Sequence, residues 1–133
     1  MLAAVAQRWK TQVNENSKTF GFYELYPKLT HNAIVGYTLP AAARLEIAVV
    51  ELDSTLINLH VRRRLDVTDR IMQQAGIRYY RVPAQGQSPL AQIYAAITLG
   101  DYVTYYLAIL NGVDPTPVDT ISYLKDLLAT VAP

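Results

Sequence analysis

Leu45-Glu46-Ile47-Ala48-Val49-Val50-Glu51-Leu52 is a short apolar run, and its β-branched residues predict a central β-strand. A helical pattern follows over residues 58–75, and Gly76 stands where that helix should end. A second short run, residues 77–82, predicts another strand. Because parallel strands need a crossover connection, this strand–helix–strand order predicts an α/β domain with a mainly parallel sheet and helices on both faces.

Helices are predicted on either side of this central unit. Apolar residues recur at helical spacing over residues 2–14 and predict an amphipathic first helix. Ser88 can cap a helix that begins at Pro89 and continues, almost uncharged, to residue 110. Asn111-Gly112 ends it, the two prolines that follow forbid its continuation, and a last helix is predicted over residues 118–130. Residues 14–40 are polar and broken by glycine and proline, which predicts loops with a short helix around residues 22–29.

The composition excludes several classes of protein. A chain of 133 residues with 51% hydrophobic and 17% charged residues fits one compact domain. A net charge of +1 gives no broad field, so no nucleic-acid or membrane partner is expected. The longest apolar region, residues 90–110, contains Gln92 and Asp101 and is predicted to be a buried helix rather than a membrane span.

Cysteine is absent, which excludes disulfides and thiolate chemistry and fits a cytoplasmic protein. Polar residues at positions 7, 8 and 10 interrupt any signal-peptide core. With two histidines and no spaced acidic cluster, no metal site is expected. Asp101, which stands in an apolar helix, is expected to have a structural role with hydrogen-bond partners.

The stretch Asn14-Glu15-Asn16-Ser17-Lys18, followed by His31-Asn32, carries the strongest functional signal. One capping side chain is enough for a helix end, whereas an acid/base site needs amides that hold a carboxylate and a second titratable group nearby. Taken singly, Glu15 also fits a solvated helix end, Asn14 and Asn16 fit C-cap residues, and His31 fits a surface loop.

Three further motifs extend this pattern. They are Gly100-Asp101-Tyr102-Val103-Thr104, Gly112-Val113-Asp114-Pro115-Thr116-Pro117 and Leu124-Lys125. Together with the first stretch, they resemble the C-terminal half of the bifunctional phosphoglucose/phosphomannose isomerases, which are built from two sugar isomerase (SIS) domains. The resemblance implies that residues 1–133 form a single three-layer SIS-type (flavodoxin-like) domain.

The resemblance also implies roles for particular residues. Glu15 is matched to the base that moves a proton between C1 and C2 of an open-chain sugar phosphate. His31 is matched to a histidine that assists ring opening across a subunit interface, and Lys125 to a lysine that serves the same step. The residues expected to bind substrate are Asn14, Asn16, Asn32 and Thr116. No cofactor is implied.

The match has two departures and one missing part. The family pattern around the histidine reads P-E-x-x-H-N-E, whereas Lys28 and Ala33 replace the two acidic residues in this chain. In the resembled proteins, the phosphate loop comes mainly from the other SIS domain. The expected partners are therefore a phosphosugar, a second SIS domain on the same or a separate chain, and a second copy in a homodimer. The alternative is a non-catalytic phosphosugar-binding or dimerisation module, which the two departures favour.

Overall fold

The computed structural model describes residues 1–131, which form five α-helices, two 3₁₀ turns and a two-stranded sheet. In chain order these are α1 (Ala3–Glu15), the 3₁₀ turns Lys28–His31 and Ala33–Val35, α2 (Ala41–Glu46), β1 (Ala48–Asp53), α3 (Leu59–Gln74), β2 (Arg78–Pro83), α4 (Pro89–Leu110) and α5 (Asp119–Thr130).

The strand–helix–strand unit has the predicted order and pairing. Strands β1 and β2 are parallel, and their register sets Ala48 beside Arg78 and Asp53 beside Pro83. Between them, the Asn58 side chain accepts a hydrogen bond from the Val61 amide and so begins α3. The helix ends before Gly76, whose φ of 71° suits a residue without a Cβ.

Two segments differ from the prediction. The first strand begins at Ala48 rather than Leu45, because residues 41–46 are alanine, arginine, leucine and glutamate, which are strong helix formers and make up α2. The helix expected around residues 22–29 is absent, and regular structure begins only at Lys28. Pro27 accounts for this, since it disfavours helical geometry in the residue before it.

Apolar clusters lie on the two faces of the strand pair. Val49 packs against a cluster that contains Met72 of α3, whereas Leu52 packs against a cluster that contains Trp9 of α1 and Ala96 of α4. An odd and an even residue of one strand point to opposite faces, so the two clusters lie on opposite sides of β1. The larger sheet of a complete three-layer domain stays a prediction, because the described sheet has two strands.

Helix α4 packs along α1, and one close contact fixes the pair. The Trp9 indole Nε1 donates a hydrogen bond of 2.8 Å to the Ala96 carbonyl, and the ring lies against Gly100, where no Cβ intervenes. Within residues 1–131, α4 is the one helix long and apolar enough to span a membrane by length and composition. Its polar residues Gln92 and Thr104 are fully buried and hydrogen-bonded inside the protein.

The outward face of α4 is apolar and open to solvent. The helical spacing of four tyrosines in the sequence favours a place in the core or at an interface, and in the described residues all four are exposed: Tyr94, Tyr102, Tyr105 and Tyr106. They are therefore not core residues here, while an interface role stays a prediction. The last helix, α5, has no buried residue at all.

Candidate functional site

The polar motif lies at the C-terminal end of α1. Glu15 is the last helical residue, and Asn16 is the C-cap. The backbone N–H of Asn16 donates a hydrogen bond of 2.8 Å to the Gln12 carbonyl. The chain then turns tightly: buried Ser17 donates from its hydroxyl to the Val13 carbonyl at 2.6 Å. Such local bonds satisfy the carbonyls that a helix end leaves free.

Amide side chains hold this turn, some from within the motif and one from α4. Asn14 donates from Nδ2 to the Thr19 carbonyl at 2.8 Å, and Asn16 donates to the Thr104 hydroxyl at 3.1 Å. Asn111, which caps α4, donates to the Ser17 carbonyl at 3.0 Å and to the Thr19 hydroxyl at 2.8 Å. The turn is thus fixed on the helix that α1 packs against.

The Glu15 carboxylate is left free by these contacts. It is exposed, and no hydrogen bond or ion pair to its side chain is recorded within residues 1–131. A carboxylate without a hydrogen-bond or ion-pair partner in the protein can accept a proton from a bound molecule. The fixed turn meanwhile holds the backbone of Glu15 in place.

Lys18 connects the motif to the segment between α4 and α5. Its Nζ donates to the Glu15 carbonyl and to the Pro117 carbonyl, both at 2.6 Å. Thr116 therefore lies in a segment that reaches the motif, although its backbone amide is bonded to the Asp114 carboxylate at 2.8 Å. That backbone bond, together with the Thr116 hydroxyl, lowers the pKa of Asp114.

His31 ends the first 3₁₀ turn and is exposed. The Asn32 side chain next to it accepts a hydrogen bond from the Ala33 amide at 2.8 Å, so it acts as a cap for the next turn. A side-chain bond from α3 holds the segment, since Arg64 donates to the Thr30 hydroxyl at 2.8 Å.

A buried carboxylate also anchors the start of this segment. Glu51 of β1 is 6% exposed and accepts hydrogen bonds from the Tyr26 hydroxyl at 2.8 Å and from the Tyr79 hydroxyl. Its other oxygen lies 2.7 Å from Arg81 Nε, and Arg81 also pairs with Asp66 at 2.7 Å. A buried charge needs partners of this kind.

The pKa values in this network follow from its burial and charges. Burial raises the pKa of Tyr26 and of Tyr79, and the neighbouring Glu51 carboxylate raises both further. For Arg81, burial acts to lower the pKa, but the Asp66 hydrogen bond and the Glu51 charge outweigh it and the net shift is upward. The tyrosines therefore stay neutral and the arginine charged at neutral pH.

Lys125 lies apart from the other two candidates. It is exposed on α5, a helix that buries none of its residues. Within residues 1–131, no hydrogen bond links Glu15, His31 or Lys125 to one another. The two main surface hollows are lined by other residues: Asp101, Tyr102 and Tyr105 in one, and Tyr23, Glu24, Leu25 and Lys28 in the other. Within the described residues of one chain, Glu15 is thus linked to the segment that contains Thr116. The side chains of Glu15, His31 and Lys125 are not brought together.

The structure bears on two further expectations. Asp101 accepts hydrogen bonds from Gln12 at 2.5 Å and from Arg8 at 3.0 Å, which confirms its structural role. The run Arg62-Arg63-Arg64 is typical of a helix face that is solvated or contacts another subunit, but Arg62 pairs with the buried Asp53 carboxylate at the end of β1, so for Arg62 this interpretation was wrong. An arginine nine residues after an aspartate at a strand end can reach back to it from the following helix. The run of three arginines gave no indication of which one would form this pair.

Sequence reasoning missed the residues of α4 that hold the motif. Thr104 is an isolated polar residue in an apolar helix, and such a residue needs a hydrogen-bond partner when buried. That signal pointed to a partner without identifying Asn16. In the part of the chain that the structure describes, no group of three or more histidine or acidic side chains is placed to hold a metal ion.

Comparisons with known proteins agree on one similarity. The family described as the bacterial phospho-glucose isomerase C-terminal SIS domain matches residues 1–128. The chain is 33% identical over 128 residues to a bifunctional phosphoglucose/phosphomannose isomerase of Aquifex aeolicus, covering 96% of this chain and 40% of that protein. The proteins of the same name from Caldicellulosiruptor bescii and Thermoplasma acidophilum are 36% and 38% identical, with 96% and 92% of this chain and 38% and 37% of those proteins covered.

The chain thus spans about 40% of the length of the relatives it matches. No solved structure matches the chain significantly.

Proposed function

Because this chain belongs to the bacterial phosphoglucose isomerase C-terminal SIS domain family, we propose that it is the C-terminal half of a two-SIS-domain isomerase. The reaction is the interconversion of glucose 6-phosphate or mannose 6-phosphate with fructose 6-phosphate. The observation that supports it best is the free Glu15 carboxylate on a turn that α4 holds in place.

Glu15 is the base in this proposal. It takes the proton from C2 of the open-chain aldose, which gives a cis-enediol(ate), a proton passes from O2 to O1 of this intermediate, and Glu15 returns its proton to C1 to form the ketose. General base catalysis contributes about 10²–10⁴-fold to a rate. Asn14 and Asn16 each use one side-chain N–H to hold the turn, so they fix Glu15 in place, and the second N–H of each can contact the substrate.

Ring opening precedes this proton transfer and requires a proton on the ring oxygen and the loss of one from the C1 hydroxyl. His31 and Lys125 carry this step. An imidazole can serve both as a proton donor and as a proton acceptor in such a step. His31 belongs to a segment anchored by Tyr26 and Thr30, and it acts across the interface of a homodimer.

A partner surface brings the separated residues together. In α5, Ile121, Leu124 and Leu128 recur at helical spacing, and all are exposed. Lys125 follows Leu124 directly and so lies at the border of this apolar stripe. When the stripe is covered by another domain, the lysine remains at the edge of the interface, where its amine can face a substrate.

The outward face of α4 supports the same partner. A helix that is apolar all round is buried in a complete protein, and contiguous exposed apolar patches of this kind mark interaction sites. The proposed partner is the second SIS domain, which also supplies the phosphate grip. The complete enzyme is cytoplasmic, forms a homodimer and requires no cofactor.

The test is a chimera in which residues 1–128 replace the matching segment of the Caldicellulosiruptor bescii relative. Isomerase activity on glucose 6-phosphate and mannose 6-phosphate is measured in the chimera, in the chimera with Glu15→Gln, and in the isolated chain. We expect activity in the chimera, a loss of about 10²-fold or more with Glu15→Gln while substrate binding is kept, and little or no activity in the isolated chain.

A matched control is Glu46→Gln, which neutralises an exposed glutamate at the end of α2 and should leave the rate unchanged. Full turnover in the Glu15→Gln chimera would remove Glu15 from the mechanism. A folded chimera that binds phosphosugars but does not isomerise them would favour the alternative, a non-catalytic module, to which the Lys28 and Ala33 departures point.

A further inference from the structure

Lys18 has a backbone conformation that is unusual for its residue type. Its φ is 53°, and it is the one non-glycine residue with a positive φ recorded within residues 1–131. The left-handed region costs about 1–2 kcal/mol for a residue with a Cβ. A strained residue of this kind persists when surrounding contacts hold it, and such residues concentrate at functional sites.

The contacts that hold Lys18 reach across the fold. Its Nζ donates to the Glu15 carbonyl in the turn after α1 and to the Pro117 carbonyl in the segment between α4 and α5. Both distances are 2.6 Å, which is short for a nitrogen donor, and hydrogen bonds from a charged amine are shorter and stronger than neutral ones. The left-handed backbone directs this side chain back over the helix end, so one amine joins two distant segments.

Asn111 bonds the end of α4 to Ser17 and Thr19, but beyond residue 112 the contact made by Lys18 has no duplicate in the described part of the chain. Residues 113–131 otherwise make hydrogen bonds only among themselves or to the end of α4, as in the bond from the Val113 amide to the Ala108 carbonyl. Helix α5 buries none of its residues and so adds no packing that would fix its direction. The path from α4 to α5 is therefore set, relative to α1, by Lys18.

We propose that Lys18 is a positioning residue that fixes the course of the chain between α4 and α5 relative to Glu15. Its role in catalysis rests on the proposed function, because α5 carries Lys125 and a shift of its start would move the amine relative to the Glu15 carboxylate. In this proposal Lys18 acts through the position of that segment and not by contact with the reacting atoms; two of the three donors of its amine are bonded to backbone carbonyls.

The absence of cysteine allows a direct distance measurement. Spin labels are placed on Thr11→Cys in α1 and Ser122→Cys in α5, both exposed, in the 133-residue chain. We expect a narrow distance distribution in this parent and a clearly broader one after Lys18→Met, which keeps the length of the side chain but removes its donors. Lys18→Gly, which also relieves the backbone strain, should broaden the distribution equally.

Lys10→Met is the matched control, because Lys10 lies on α1 and has no recorded hydrogen bond among residues 1–131; it should leave the distribution narrow. The proposal is overturned if the parent distribution is already broad, if Lys18→Met leaves it unchanged, or if Lys18→Gly keeps it narrow. This readout does not depend on isomerase activity.

In the active chimera, Lys18→Met should lower kcat by about tenfold with KM unchanged, because the lost placement affects the transition state more than binding. An unchanged kcat would refute the positioning role. A chimera without any activity would contradict the proposed function, while the spin-label distances would still decide whether Lys18 fixes the segment.

Discussion

Replacing Gly100 with alanine tests the contact between α1 and α4 on which the candidate site depends. A Cβ at this position would lie 2.6 Å from Cε2 and 2.7 Å from Cδ1 of the Trp9 indole, and closer still to Nε1. Cβ atoms do not approach other heavy atoms within 3.0 Å without a shift of their neighbours. The indole cannot retreat freely, because its Nε1 is bonded to the Ala96 carbonyl at 2.8 Å.

Three contributions set the magnitude. Overpacking costs about 1–3 kcal/mol, and a contact as close as this one belongs at about 3. Loss of the indole hydrogen bond adds about 1 kcal/mol. Alanine is better than glycine inside a helix by about 1 kcal/mol, which offsets that loss. The net expectation is a destabilisation of about 3 kcal/mol, or a fall of roughly 10 °C in Tm for a domain of this size.

Urea denaturation followed by intrinsic fluorescence is the direct assay, since Trp9 is the only tryptophan in the chain. Gly36→Ala serves as the control, because a Cβ there meets only the Ala33 carbonyl at 3.4 Å and should change stability little. Trp9→Phe removes Nε1, the indole atom nearest the added Cβ, so Gly100→Ala should cost at least about 1 kcal/mol less in that background, measured by circular dichroism. A Gly100→Ala protein as stable as the parent would refute the reasoning.

Two further outcomes are expected. The raised pKa values of Tyr26 and Tyr79 mean that their stabilisation is complete below about pH 10, the ordinary tyrosine value, and is lost as the pH rises toward the folded-state values. Above about pH 10, the free energy of unfolding should therefore fall by up to about 2.7 kcal/mol per pH unit. In Tyr79→Phe, one tyrosine remains and the slope should be half as large. Denaturation experiments in which the free energy of unfolding stays constant up to about pH 11 would contradict this. Thr104→Val should cost about 1 kcal/mol in urea denaturation, because Asn16 loses its partner, and an unchanged midpoint would show that this bond contributes nothing.

The helices were predictable because their ends carry local signals. Ser88 and Pro89 mark the start of α4, and the helix runs to Leu110 as expected. Gly76 stops the helix before β2. The start of β1 was less predictable, because Leu45 belongs both to an apolar run that favours a strand and to a segment of strong helix formers. The structure places Leu45 in helix α2.

The position of the candidate site followed from the sequence, but the contacts that build it did not. The Asn14–Lys18 stretch spans the C-terminal end of α1, close to the position just beyond the helix that its residue types indicate. The partners that hold it, Thr104 and Asn111, are about ninety residues away in the chain, and nothing in the local pattern identifies such pairs. The unusual backbone of Lys18 was equally hidden, because lysine rarely adopts a positive φ.

The roles of Glu15, His31 and Lys125 were inferred from the resemblance to the isomerase family. They stay predictions, because the described residues of one chain do not bring these side chains together. Periodicity can place Lys125 on a helix, but it cannot say against which surface that helix packs. The direction of α5 depends on long-range contacts, and these are decided by tertiary structure rather than by local sequence.

The strand pair has a consequence for how this segment behaves in solution. Within residues 1–131, β1 and β2 pair only with each other, so each leaves one row of backbone donors and acceptors without ladder bonds. Val50 and Tyr80 stand side by side in the register, and both expose much of their apolar surface. An open edge of this kind is a template for another strand, and two strands alone are marginally stable. Copies of the described chain will therefore tend to join edge to edge, and this association will increase as the concentration rises.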